Sequence, residues 1–255
     1  MTHDDILYGR LRLWQPEAGP RVSMDTVLLA AWVRRPPGRR ASFVELGAAT
    51  GAVSLMLALR FSGSFRIVGV ELQPDLAEMA ERNRAENGLE ARVSFRCGDL
   101  RDPSLLPLDS FDGVVANPPY ESPERGRGSP VAARSIARQG VCCSIRDVAA
   151  AGARLLKGRG RFYAVFRTDR MAALMGAVLS VGLAPKRLRL VHPRPSRPSN
   201  LFLIECVKGG GEGLTVEPPL FVHDEGGRYT RELLKAYEPE DFGLGFGRGS
   251  GLGLE

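Results

Sequence analysis

The feature of this sequence that most constrains its fold is a regular alternation of short apolar runs with longer amphipathic runs. The runs typical of strands are residues 42–46, 66–71, 92–96, 111–116, 160–166, 186–191 and 201–208. Runs with apolar residues at helical spacing lie between them, at 52–61, 74–87, 144–156 and 170–181. This alternation predicts an α/β fold in which helices cover both faces of a mostly parallel sheet.

Length and composition are those of an ordinary globular protein. The 255 residues are 44% hydrophobic and 25% charged, and no apolar run approaches the roughly 20 residues that cross a membrane. The first residues do not resemble a secretory signal, so we expect a cytoplasmic protein without membrane contact. We expect one domain over residues 1–240, made of a lead-in segment (1–41), an α/β core (42–208) and a C-terminal extension (209–240). The glycine-rich residues 241–255 are predicted to be a disordered tail.

The cysteines and histidines do not indicate a metal site or a hydrolase. Cys97, Cys142, Cys143 and Cys206 lack Cys-x-x-Cys spacing, and the three histidines are scattered along the chain. We therefore expect reduced thiols and no metal. The net charge of +6 is carried mostly by arginine, which suits contacts with phosphate. This charge permits a nucleic acid partner but does not establish one.

Polar groups follow the first three strands of the predicted core. The first strand enters the turn 45–51 (ELGAATG), whose glycines let the backbone approach a ligand closely. Glu71 ends the second strand, where it is placed to accept hydrogen bonds from ribose hydroxyls. Asp99 follows the third strand, where it can receive an adenine amino group. Ligands of open α/β sheets bind beyond the carboxyl ends of the strands, so the three positions together predict a nucleoside site.

The fourth strand ends in the tetrapeptide Asn117-Pro118-Pro119-Tyr120. The side-chain oxygen of Asn117 and the carbonyl oxygen of Pro118 are two acceptors suited to one planar amino group. Hydrogen bonds to both N–H groups favour rehybridisation of the nitrogen, which can then attack an electrophilic methyl group. Tyr120 offers a ring face on which a base can stack.

Together these motifs resemble the class I S-adenosylmethionine-dependent methyltransferases that modify amino groups through an (Asn/Asp)-Pro-Pro-(Tyr/Phe) motif. Within that class, several segments are similar to bacterial tRNA1(Val) adenine-N6 methyltransferases. These segments are residues 22–32, the loop that follows Tyr120, Ala137-Arg138 and residues 192–195. The resemblance covers about residues 7–237, which is most of the chain.

The resemblance implies a Rossmann-like, doubly wound sheet of seven strands, the last of them antiparallel, and S-adenosylmethionine as the cofactor. The residues that would line the methionine, ribose and adenine parts of the cofactor are Glu45, Gly47, Gly51, Glu71, Asp99 and Leu100. The residues that would hold the target amine are Asn117, Pro118 and Tyr120. One departure from the family pattern is Ala49, which stands at the usual middle glycine of the turn. A second is Gln139-Gly140, which replaces an acidic stretch common in relatives.

Four substrates suit such an amine site: adenine N6 in tRNA, guanine N2 in ribosomal RNA, adenine in DNA and glutamine in a protein. Only about 40 residues precede the glycine turn, which is too few for the long helical domain of the glutamine-methylating relatives. The guanine-N2 relatives often carry a duplicated domain and the DNA enzymes a separate recognition domain. We therefore expect adenine N6 in tRNA, with ribosomal guanine N2 or a release-factor glutamine as alternatives. A non-catalytic protein that binds S-adenosylmethionine or RNA is a further alternative.

Arginines are the candidates for contacts with substrate RNA. The loop 121–138 lies beside the predicted amine site, and its arginines are expected to meet phosphates that flank the target base. These arginines are Arg125, Arg127, Arg134 and Arg138. A second possible patch consists of Arg187, Arg189, Arg194 and Arg197.

Overall fold

A computed structural model of the chain describes residues 1–37, 40–61, 63–118 and 143–238, and these contain ten strands and six α-helices. The strands are β1 (Thr2–Ile6), β2 (Leu11–Gln15), β3 (Arg40–Leu46), β4 (Ser64–Glu71), β5 (Val93–Cys97), β6 (Phe111–Ala116), β7 (Leu156–Arg167), β8 (Leu183–His192), β9 (Leu201–Lys208) and β10 (Thr215–Phe221). The helices are α1 (Met24–Trp32), α2 (Ala52–Arg60), α3 (Pro74–Glu86), α4 (Ile145–Leu155), α5 (Met171–Ser180) and α6 (Arg231–Lys235). No helix in these described ranges is long and apolar enough to cross a bilayer.

The central sheet has the strand order β10-β8-β9-β7-β6-β3-β4-β5, which confirms the predicted Rossmann-like α/β class. Strands β5, β4, β3, β6 and β7 pair in parallel, whereas β9 is antiparallel to both of its neighbours, β7 and β8. The seventh predicted strand is therefore the antiparallel one, as the resemblance implied. Because the chain reverses order at β3 and β6, the carboxyl ends of these two strands form the crevice where a ligand binds.

The sheet has eight strands rather than the seven that were expected, because β10 pairs in parallel with β8 at the outer edge. Pro218 and Pro219 lie within β10, and the pairing register shifts between Glu217 and Leu220. Proline has no N–H to donate to the hydrogen-bonded ladder, so the sequence does not predict a strand here. Strands tolerate proline at the edge of a sheet, which is where β10 lies. The strands and helices predicted between residues 42 and 208 are all present, with ends displaced by at most four residues.

Burial on both faces of the sheet explains why the core strands are continuously apolar. In β9 all seven residues from Leu201 to Val207 are buried. One apolar cluster joins α1 and α2 to one face of the sheet, and a second joins α4 and α5 to the other. The C-terminal segment also contributes to the first cluster, through Leu220, Val222 and Leu233.

The N-terminal hairpin of β1 and β2 is attached to α3 by two asparagines one helical turn apart. The side chain of Asn83 is fully buried; it accepts from the Trp14 amide (2.7 Å) and donates to the Trp14 carbonyl (3.0 Å) and the Thr50 carbonyl (3.0 Å). Asn87 makes the corresponding pair of bonds with the backbone of Arg12 at a more exposed site. The side-chain amides of Asn83 and Asn87 thus pair with the backbone of β2, as a neighbouring strand would.

Replacing Asn83 by leucine, which has the same number of side-chain heavy atoms but no polar group, should destabilise the protein by about 3 kcal/mol. The change leaves buried backbone groups of Trp14 and Thr50 without partners, and each such group costs about 1–3 kcal/mol. Asn87→Leu is the matched control, and it should cost about 1 kcal/mol or less because water replaces the lost bonds. Urea unfolding followed by circular dichroism measures both values. Equal losses of unfolding free energy in the two variants would show that burial of the Asn83 amide does not increase its contribution to stability.

Candidate active site

The turn between β3 and α2 exposes backbone toward the crevice. Gly47, Ala49 and Gly51 all have positive φ angles, of 76°, 47° and 84°. The amides of Gly47 and Ala48 both donate to the Val70 carbonyl at 2.9 Å, which docks the turn on the end of β4. Three left-handed residues within five fold the chain back on itself, which glycine permits at little cost.

The two glycines of the turn have different reasons to be glycine. A Cβ at Gly47 would meet no atom within 4 Å, so this residue borders open space into which a ligand fits. A Cβ at Gly51 would lie 2.4 Å from the ring of Phe95, which packs beneath the turn. Gly47 is thus placed for close approach of a ligand, and Gly51 for close packing of the turn.

Ala49 holds a left-handed conformation that costs a non-glycine residue about 1–2 kcal/mol. Its amide donates to Glu71 Oε2 at 2.8 Å, and the other carboxylate oxygen of Glu71 accepts from the Gln73 amide at 2.9 Å. Glu71 is buried at the end of β4 and therefore fixes the turn as well as occupying the predicted ribose position. Carboxylate oxygens accept more than one hydrogen bond each, so these contacts leave capacity for hydroxyl groups.

Glu45 is a buried carboxyl beneath the turn, at the edge of the cleft. Its Oε2 accepts from the Ser54 amide at 2.9 Å and from the Ser54 hydroxyl at 2.5 Å. Burial raises the pKa of Glu45 to about 8, although the bonds from Ser54 lower it; the nearby charge of Glu71 raises it further. The carboxyl is therefore mostly protonated at neutral pH, and a cation brought close to it favours its ionised form.

Asp99, the predicted adenine acceptor, is paired with Arg101. The Arg101 Nε lies 2.9 Å from Oδ1 and 3.0 Å from Oδ2, and the Arg101 amide donates to Oδ1 at 2.9 Å. This pairing lowers the pKa of the Asp99 carboxyl. The neighbouring Leu100 is partly buried against the core, and its carbonyl accepts from Arg154 at 2.8 Å. An adenine amino group at this site would share Asp99 with the guanidinium.

Asn117 lies at the carboxyl end of β6, where its Nδ2 is 3.4 Å from Oγ1 of Thr26. Thr26 is buried in the first turn of α1. Because the amide nitrogen of Asn117 is directed at this hydroxyl, the orientation of the amide is fixed, with Oδ1 as its hydrogen-bond acceptor. Pro118 follows directly and is half-buried. The remaining predicted residues for the amine and the RNA lie outside the described residues: Tyr120, Arg125, Arg127, Arg134 and Arg138.

The wall of the cleft opposite the turn comes from the N-terminal segment, which the sequence analysis did not assign to the site. The residues that line the cleft are Pro20, Arg21, Val22, Thr26, Glu45, Gly47, Ala48, Ala49, Thr50, Ala52, Val53 and Asn117. Arg21 is held by Asp4 (2.7 Å) and by the Pro16 carbonyl (3.0 Å). Residues 22–32 belong to the segments that resemble relatives, but that resemblance did not predict that Arg21 or Thr26 lines the cleft.

Arg21 gives the cleft a positive group, and Glu45 gives it a carboxyl that a cation brought close would ionise. A guanidinium suits a carboxylate, and a carboxylate suits an ammonium. With the open space beside Gly47, the cleft therefore fits the methionine part of S-adenosylmethionine.

The expectation that Arg187 and Arg189 contact RNA is wrong, because both side chains are buried. Arg187 pairs with Glu205 of β9 and with Glu217 of β10, and Arg189 pairs with Glu232 at 2.6 Å. Alternate residues of β8 point to one face of the sheet, and this face is covered. The other two arginines of that patch, Arg194 and Arg197, are exposed.

Comparisons with known proteins agree with these features. A family model described as a methyltransferase domain matches residues 43–140. A tRNA1(Val) (adenine(37)-N6)-methyltransferase of Porphyromonas gingivalis is 28% identical over 247 residues, which are 94% of this chain and 95% of the relative. One from Bacteroides fragilis is 29% identical over 209 residues, 80% of this chain and 84% of the relative.

Solved structures share the fold. A predicted O-methyltransferase from Agrobacterium tumefaciens aligns with a TM-score of 0.67 at 22% identity, covering 84% of this chain and 97% of that one. A geranyl diphosphate methyltransferase in complex with S-adenosylmethionine aligns with a TM-score of 0.52 at 17% identity, over 71% and 82% of the two chains. Together with the family match and the relatives, these likenesses confirm the resemblance found in the sequence motifs.

Binding of S-adenosylmethionine should release about one proton from Glu45 at pH 7. The free carboxyl, with a pKa of about 8, is mostly protonated at this pH, and the ammonium and sulfonium charges favour its ionised form. Calorimetry in buffers of different ionisation enthalpy measures the release as a slope of observed enthalpy against buffer enthalpy. Glu45→Gln, which cannot ionise, should give a slope near zero. A zero slope for the unmodified protein would contradict the placement of the positive groups beside Glu45.

Proposed function

We propose that this chain, an S-adenosylmethionine-dependent methyltransferase, methylates N6 of an adenine in tRNA. When bound, the cofactor supplies an electrophilic methyl group. The observation that carries the proposal is the position of Asn117 at the end of β6, in the same cleft as the glycine turn and Glu45. The chain thus offers an acceptor for an amino group beside a place for a methyl donor.

The role of Asn117 is to hold and orient the target amine. Its side-chain oxygen and the Pro118 carbonyl accept hydrogen bonds from the two N–H groups of the amine. These hydrogen bonds make the nitrogen lone pair available for attack. With the cofactor bound, this nitrogen would take the methyl group as the sulfur–methyl bond breaks, and its extra proton would leave to water. The attacking amine is neutral, so no general base is needed. Rate then depends on alignment, and misplacement by about 1 Å costs roughly 100-fold.

The adenine must leave its base stack to reach this recessed acceptor, at a cost of a few kcal/mol. Tyr120 is proposed to receive the base on its ring, and the arginines of the 121–138 loop to bind the flanking phosphates. Glu71 and Asp99 are proposed to bind the ribose and the adenine of the cofactor, with Glu45 and Arg21 at its methionine end.

The choice of tRNA is supported by the relatives that match 94% and 80% of the chain, whose names specify adenine 37 of tRNA1(Val). An enzyme with this substrate is expected in the cytoplasm. We also propose that residues 1–240 act as one catalytic domain, because the hairpin, α1 and the β10–α6 segment pack on the same core cluster.

Transfer of label from S-adenosylmethionine to purified substrates tests the proposed function. We expect label in folded tRNA that lacks the modification, and nucleoside mass spectrometry should identify the product as N6-methyladenosine. Ribosomal RNA and a release-factor peptide with its target glutamine serve as parallel substrates. Label in the peptide or in ribosomal guanine, with none in tRNA, would replace the proposal with the corresponding alternative.

Substitutions at Asn117 and Thr26 should separate turnover from cofactor binding. Asn117→Ala should lower kcat about 100-fold because the amine loses its alignment, while the Kd for the cofactor stays within twofold. Thr26→Val removes the hydroxyl that orients the Asn117 amide, and we expect kcat to fall about tenfold. Thr26→Ser keeps the hydroxyl and is the matched control, with kcat close to that of the unmodified enzyme. Single-turnover kinetics with calorimetric Kd values give the comparison, and full activity of Asn117→Ala would exclude the amine-holding role.

A further inference from the structure

Arg154, in the last turn of α4, holds the backbone segment that carries the predicted adenine position. We propose that Arg154 is a positioning residue for the cofactor. Its guanidinium fixes the backbone that follows β5 and, through that backbone, the carboxylate of Asp99. This inference rests on the proposed function, because Asp99 is assigned there to the adenine of S-adenosylmethionine.

The guanidinium of Arg154 donates to three successive backbone carbonyls. Its Nη2 lies 2.8 Å from the Leu100 carbonyl oxygen and 3.3 Å from that of Asp102. Its Nη1 lies 3.5 Å from the carbonyl oxygen of Arg101. The planar fork of an arginine has five N–H donors, so one side chain can serve several acceptors. The segment that follows β5 is thus attached to a helix that comes about fifty residues later in the chain.

The peptide group between Leu100 and Arg101 is held at both of its polar atoms. Its oxygen accepts from Arg154, and its N–H, which belongs to Arg101, donates to Asp99 Oδ1 at 2.9 Å. A peptide group is planar, so its oxygen and its N–H turn together. A guanidinium that fixes the oxygen therefore also fixes the direction from which the N–H reaches the Asp99 carboxylate.

Other contacts keep the segment on the core without orienting this peptide group. The Gly98 amide donates to the Glu71 carbonyl at 2.9 Å, and the Asp102 amide donates to the Asp99 carbonyl at 2.9 Å. Leu100 packs against the apolar cluster to which α4 contributes. Apolar packing has no preferred direction, whereas a hydrogen bond does. Arg154 therefore supplies orientation to a segment that is already attached.

The orientation of Asp99 matters because both of its carboxylate oxygens already have a partner. The Arg101 Nε lies 2.9 Å from Oδ1 and 3.0 Å from Oδ2. An adenine amino group must therefore donate to a lone pair that these bonds leave open. A turn of the carboxylate moves that lone pair out of line, and a hydrogen bond weakens steeply as its angle departs from linear.

A purely structural role for Arg154 makes a different prediction. A basic residue in the last turn of a helix stabilises the helix through its charge alone. Loss of that effect would lower the stability of the protein and would weaken all ligands of the cleft alike. Positioning of Asp99 predicts an effect confined to ligands that carry the adenine amino group.

The test compares two ligands of the full-length enzyme by calorimetry. One is S-adenosylhomocysteine, the cofactor without its methyl group, and the other is its analogue with purine in place of adenine, which lacks only the amino group. The unmodified enzyme should bind the first about 30-fold more tightly, because a donor to a charged acceptor is lost in the second. In Arg154→Met, S-adenosylhomocysteine should bind about tenfold more weakly and the purine analogue less than twofold more weakly.

Three further variants make the comparison specific. Arg154→Lys keeps the charge but cannot reach three carbonyls with one fork, so its preference should lie between those of the enzyme and Arg154→Met. This variant carries the test if the methionine variant does not fold. Arg146→Met is the matched control, since it removes the same charge from an exposed position of α4 and should keep the 30-fold preference. In an Asp99→Ala background, Arg154→Met should have no further effect on S-adenosylhomocysteine, because the two residues act as one unit.

An unchanged preference in both Arg154 variants would overturn the positioning role, and so would equal weakening of the two ligands. If the unmodified enzyme binds both ligands equally, Asp99 is not the adenine acceptor and the inference fails, while transfer of label to tRNA still upholds the proposed function. Label in the release-factor peptide instead of tRNA would change the proposed substrate. That result would leave the role of Arg154 standing, because both reactions use the same cofactor.

Discussion

One buried amide, that of Asn83, connects the two walls of the cleft. It pairs with both backbone groups of Trp14 in the hairpin and with the Thr50 carbonyl in the glycine turn. From Trp14 the chain continues through Gln15, whose side chain accepts from the Val22 amide at 2.7 Å and so fixes the segment that carries Arg21. The N-terminal wall is therefore connected by hydrogen bonds both to α3 and to the glycine turn.

The electrostatics of the cleft match a positively charged ligand. Glu45 lines the cleft, and burial together with the nearby charge of Glu71 raises the pKa of the Glu45 carboxyl. A cationic ligand beside Glu45 offsets this effect, because it favours the ionised form of that carboxyl. Strain at Ala49 is offset in part by its bond to Glu71, so the carboxylate proposed to bind the cofactor ribose also fixes the backbone of the turn.

The core and its crevice could be predicted from the sequence because their signals are local. Apolar periodicity located β3 to β9, and Asn117, which directly follows β6, lines the cleft. Features set by distant partners could not be predicted. Arg187 pairs with Glu217, thirty residues further along the chain, and the two-residue alternation of a strand does not reveal such a partner. Arg187 therefore forms a buried ion pair rather than the expected RNA contact.

The N-terminal wall was missed for a related reason. The sequence of β1, THDDI, is polar at most positions and carries no strand signal, since its bonds to β2 and the support of α3 determine its conformation. Arg21 is placed by Asp4 of that strand, so its role depends on a structure that the local pattern does not encode.

The two prolines of β10 affect the behaviour of the protein at high concentration. An outer strand with free N–H groups is a template on which a second molecule can add a strand, and this is a common route to aggregation. Pro218 and Pro219 have no N–H, and they interrupt the ladder between Glu217 and Leu220. The outer edge at β10 therefore offers fewer N–H donors to which a strand of another copy could add.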